Sequence, residues 1–77
     1  MITDPKVAKV VLDSLFDVGG SLDKSVITVR VGCSEAEFQT YRRAIGEVMG
    51  ILWDELLQPI LRVHPELTPE ALRTKDA

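Results

Sequence analysis

Few side chains in this sequence could do chemistry. His64 is the only histidine, and Tyr41, Arg42 and Arg43 form a short basic-aromatic cluster. An imidazole can carry a proton or bind a metal, and arginines beside a phenol can hold a phosphate or another anion. Tyr41, Arg42 and His64 are therefore the candidate ligand contacts. Each also has a plainer explanation. A histidine before Pro65 suits a helix C-terminus, where a cation meets the dipole. Arg43 and Glu47 are spaced as an i,i+4 surface pair.

Glu47, Asp54 and Glu55 could supply carboxylates, but di-metal bundles use Glu-x-x-His motifs, and none occurs here. One cysteine and one histidine cannot build a zinc site within a chain, so no metal and no cofactor is expected. Cys33 precedes a helix start, a setting that lowers thiol pKa, so redox sensing or an interchain disulfide competes with a small turn residue. Ser14, Ser21 and Ser25 have no base placed to activate them. No catalytic residue is expected.

The composition narrows the class further. A chain of 77 residues makes one domain, 1–77, and buries too little surface to be robust alone. It is 45% hydrophobic and 27% charged, which is globular rather than disordered. A lone cysteine excludes an internal disulfide, leaving oligomerisation as the expected aid. A net charge of −3 speaks against a basic nucleic-acid footprint, so nucleic acid is not an expected partner. Met-Ile-Thr-Asp-Pro-Lys at the start lacks the apolar segment of a signal peptide, and no apolar run is long enough to span a membrane. A cytoplasmic location is expected.

Two long elements must position these groups. Ser34-Glu35-Ala36-Glu37 has the capping-box form. Behind it Phe38, Tyr41, Ile45, Val48, Met49, Leu52, Leu56, Ile60 and Val63 recur on one helical face. Pro59 predicts a bend near Glu55, or an end there to the ideal ladder, and Pro65 stops the helix at His64. Upstream, Thr3 or Asp4 can cap and Pro5 suits a first helical position. Val7, Val11, Leu15, Val18, Leu22, Val26 and Val29 then keep phase through Gly19-Gly20. The rival is a helix ending at Gly19, with 25–31 as a β-branched strand. Such a strand would have no partner, which favours the helix. Thr68-Pro69-Glu70 could start a short terminal helix, Pro69 to Thr74.

The expected fold is therefore all-α: an antiparallel helical hairpin, about 5–30 and 35–63, plus a short C-terminal helix. A hairpin encloses no core. Leu12, Phe16 and Ile27 fall off the first stripe, and Ile51, Leu57 and Leu61 off the second, with Trp53 at its edge. Surplus apolar surface marks an interface. Gly46 and Gly50, one turn apart beside Trp53 and Leu57, could admit a second backbone closely, or could mark a kink. A homodimer forming a four-helix bundle would cover this surface. Its expected interface is Gly46, Gly50, Trp53, Leu57, Leu61, Phe16 and Leu12.

The segment FQTYRRAIGEVMG, Phe38 to Gly50, followed by Pro59-Ile60 and His64 to Leu67, resembles short bacterial proteins of unknown function. The resemblance spans the second half of the chain. It implies a bacterial origin and carries no activity, cofactor or catalytic residue with it.

These features point first to a small dimeric interaction or regulatory module without catalysis, with a further protein as a candidate partner. The alternative is a ligand-binding or enzymatic bundle with a pocket near Tyr41, Arg42, Trp53 and His64 at the dimer interface. A nucleic-acid accessory role comes third.

Overall fold

The computed structural model describes residues 1–69. The first helix, α1, runs from Pro5 to Gly32. Asp4 caps it, its carboxylate accepting from the Lys6 amide at 2.8 Å and the Val7 amide at 3.3 Å. Pro5 occupies the first turn, where a missing N–H costs nothing. The helix passes unbroken through Gly19-Gly20 and through residues 25–31, which are helical and not a strand. It closes two residues beyond the expected end, with the Cys33 amide donating to the Val29 carbonyl at 2.9 Å.

The chain reverses at Cys33-Ser34 into α2, Glu35–Ile51. The expected capping box is present. The Glu37 amide donates to Ser34 Oγ at 3.2 Å, and the Ser34 amide donates back to Glu37 Oε1 at 3.1 Å. These bonds, first from the Ser34 amide and then from its hydroxyl, hold the Glu37 carboxyl below its ordinary value of 4.5. The stabilisation is complete above that ordinary value and is lost as pH falls through the lowered one. Glu37→Gln should remove this part of the acid dependence, followed as helicity against pH below 4.5. An unchanged acid profile would contradict the assignment.

The second arm is not one uniform helix. After α2 comes a π-helical turn, Leu52–Leu57, and then α3, Gln58–Val63. The Gln58 amide reaches back five residues to the Trp53 carbonyl. The wider turn directly precedes Pro59, whose ring would clash with the Glu55 carbonyl in an α-ladder. This is the expected end to the ideal ladder. The rod itself continues, since Ile51, Leu52, Leu57 and Gln58 all keep right-handed helical dihedrals. His64 leaves the helix at φ −127°, and Pro65–Leu67 form a 3₁₀ turn. The terminal helix expected from Pro69 to Thr74 falls, beyond its first residue, outside the described residues.

Two corrections follow on which side chains face inward. In α1 the inward line is Ala8, Leu12, Leu15, Gly19, Leu22, Val26 and Val29. Its spacing alternates four and three, the seven-residue repeat of packed helix pairs. Val7 and Val18, expected inside, are exposed. In the second arm the π turn adds a residue, so the residue buried after Leu52 is Leu57 rather than Leu56. Leu56 and Val63, expected inside, are exposed, while Leu57, Ile60, Leu61 and His64 are buried.

The core lies at the end of the hairpin away from the turn. Ala8, Leu12, Leu52, Leu57, Ile60 and Leu61 form it, with Ile2, Val11, Leu15, Phe16, Met49, Trp53 and Leu67 packed around. Toward the turn, burial thins. No residue of α1 beyond Gly19 is buried, and the helices are tied there by polar and aromatic contacts instead. Ser25 donates to the Leu22 carbonyl at 2.6 Å, so its oxygen accepts the Tyr41 hydroxyl at 2.8 Å. The Arg30 guanidinium lies 5.9 Å from the centre of the Phe38 ring.

Gly19 and Gly20 differ in their surroundings. A Cβ at Gly19 would stand 3.6 Å from the Met49 methyl, so the helices approach closely here. A Cβ at Gly20 would meet nothing within 4 Å. Both have ordinary negative φ. Gly20→Ala should therefore stabilise the fold by about 0.5–1 kcal/mol through helix propensity. The urea midpoint reports it, and a lowered midpoint would contradict it.

Candidate functional site

The structure separates the three candidate ligand contacts. Tyr41 sits on one side of the hairpin, its hydroxyl engaged by Ser25. Arg42 lies on the other side, exposed, with a guanidinium nitrogen 3.4 Å from Gln39 Oε1. It lines a groove of about 720 Å³ with Asp23, Gln39, Arg43, Gly46 and Met49. His64 ends the second arm, roughly 30 Å along the rod from Arg42 at 1.5 Å per residue. Within one chain no cleft gathers them.

His64 has a structural task. Its side chain is buried, and the Nε2–H donates to the Ile2 carbonyl at 2.7 Å. Nδ1 faces the Glu66 carboxylate at 3.5 Å. The ring thus clamps the segment before α1 to the end of α3 across 62 positions of sequence. A half-buried carbonyl without a donor would be costly, and the imidazole supplies that donor. Nothing in the local sequence signals this bond.

The expected interface residues divide into two groups. Leu12, Leu57 and Leu61, expected on an outer face, are all buried inside the chain. The seven-residue phase of α1 turns Leu12 inward, and the π turn does the same for Leu57 and Leu61. Phe16 and Trp53 are half-buried and border a shallow hollow of about 360 Å³ with Gly19, Gly20, Met49 and Leu57. Gly46 and Gly50 are exposed, with nothing within 4 Å of a Cβ built on either.

On the Tyr41 side, Val29, Cys33, Ala36, Glu37, Thr40, Tyr41 and Ala44 line a groove of about 540 Å³. Cys33 is free and exposed there. Among the described residues no three His, Cys, Asp or Glu side chains converge as a metal site would require. No helix among them is long and apolar enough to cross a membrane.

What the structure adds is apolar surface that the sequence pattern had turned inward. Val18, Val48, Leu56 and Val63 join Ile27 and Ile51 among the exposed large hydrophobics. The missed signal was the five-residue step between Leu52 and Leu57, with Pro59 just beyond it. The class the architecture defines is an all-helical hairpin with an uncovered apolar surface. The chain matches no protein-family model, no curated protein and no solved structure in comparisons with each.

Proposed function

We propose that this chain is a small interaction or regulatory module of a bacterial cytoplasm, acting without catalysis. Two copies would pair their hairpins into a four-helix bundle, which could then engage a further protein. The observation that carries this reading is the apolar balance. Among the described residues ten large hydrophobics are exposed, whereas seven hydrophobic residues are buried. An isolated hairpin leaves both sides of its helix pair open, and a second hairpin covers one of them most simply.

The ligand-binding alternative has less support, because Tyr41, Arg42 and His64 face different places and His64 is already engaged. The dimer is tested by melting the protein over a hundredfold concentration range. Coupled dissociation and unfolding raises Tm with concentration. A Tm independent of concentration would overturn the reading.

A further inference from the structure

We infer that a second copy of this chain docks on the sparsely charged side of the hairpin, the side that carries Tyr41. This rests on the proposed dimer and names its surface. Two observations identify the sides. Asp23 of α1 and Arg42 of α2 line one groove. Val29, Ala44 and, near the turn, Glu37 line another, and the Ser25–Tyr41 bond marks that second side.

At about 100° per residue, Val11, Ser14, Val18 and Ser21 of α1 fall on the Ser25 side of the inward line. Ala44, Val48 and Ile51 of α2 fall on the Tyr41 side by the same count. None of the seven carries a charge, in a chain that is 27% charged, and the charge on this side, Glu37, lies toward the turn. Val18 is 48% exposed, Val48 46% and Ile51 62%. The charged residues Asp23, Arg42 and Arg43 collect on the opposite side.

The occupant follows from charge and area. Each copy has a net charge of −3, so a close twofold contact is favoured where the facing surfaces are neutral. An apolar patch is its own complement under a twofold axis, with Val18, Val48 and Ile51 as projections and Ser14, Ser21 and Ala44 as recesses. The serine hydroxyls need no outside partner, because a helical hydroxyl can donate to a carbonyl in the preceding turn. Ser25, Thr28 and Thr40 already do so. A helix of 28 residues is about 42 Å long, and two packed helices are about 18 Å wide. That face offers roughly 750 Å², close to the ~800 Å² per partner of a stable interface.

The test compares the native mass of the full chain with Val48→Glu, Ile51→Lys and Gly50→Leu by light scattering, with helicity measured in parallel. Val48 and Ile51 are exposed, so both variants should keep their helicity; Ile51→Lys alone suffices if Val48→Glu does not fold. The expected result is a dimeric parent, at least tenfold weaker association for Val48→Glu and Ile51→Lys, and unchanged association for Gly50→Leu. A dimeric parent disrupted by Gly50→Leu but not by the other two would overturn the assigned surface and leave the dimer standing. A monomeric parent would overturn both.

Discussion

Leu12→Ala should leave much of this protein unfolded at room temperature. Leu12 is 1% exposed and lies where α1 meets Leu52, Leu57, Ile60 and Leu61. Removing a buried leucine costs about 2–5 kcal/mol through lost transfer and the cavity left behind. Small domains have about 5 kcal/mol in total, so the loss is comparable with the whole stability. Val10→Ala is the control: it removes apolar atoms from the same helix at a site 65% exposed, and should change stability by less than about 0.5 kcal/mol. Urea unfolding at one fixed protein concentration measures both. Equal effects would show that α1 does not present Leu12 to the core.

The second large effect is expected at the clamp. His64→Phe keeps much of the ring volume but removes the donor to Ile2. The Ile2 carbonyl then loses its partner in a half-buried site, at a cost of about 1–3 kcal/mol. Deleting Met1 and Ile2 should cost a similar amount, since it removes the same bond and the Ile2 side chain from the core edge. The two changes act on one contact, so their combination should cost clearly less than their sum. Strict additivity would mean that His64 and Ile2 stabilise the fold independently.

These two sites also show what the residues revealed unaided. The ends of the helices were legible because their causes are local. Asp4 before Pro5, and Ser34 three before Glu37, each satisfy orphan amides within one turn. The continuity of α1 through residues 25–31 was legible as well, because a strand there lacked any partner. The inward face was harder. In α1 two apolar lines run one residue apart, through Val7 and Val18 or through Ala8 and Gly19. Periodicity favours the bulkier valines. Packing against α2 selects the seven-residue repeat, in which Ala8 and Gly19 weigh little by hydropathy but take little room, Gly19 letting Met49 approach closely. The shift from Leu56 to Leu57 depends on a π turn, which a single helical period cannot represent. The His64–Ile2 bond is set by the closed hairpin alone.

The consequence for function is that the apolar surface left uncovered differs from the one the pattern suggested. Leu12, Leu57 and Leu61 stabilise the chain from within, while Val18, Val48 and Ile51 stand outside. The glycines Gly46 and Gly50 remain on the surface with open space around them. A shared surface between two copies is thus the feature on which the functional reading depends.

Sedimentation equilibrium of the 77-residue chain at micromolar concentration tests that reading most directly. A single species of twice 8.5 kDa, dissociating on dilution, is expected. A single species of 8.5 kDa that melts cooperatively at the same concentrations would contradict it.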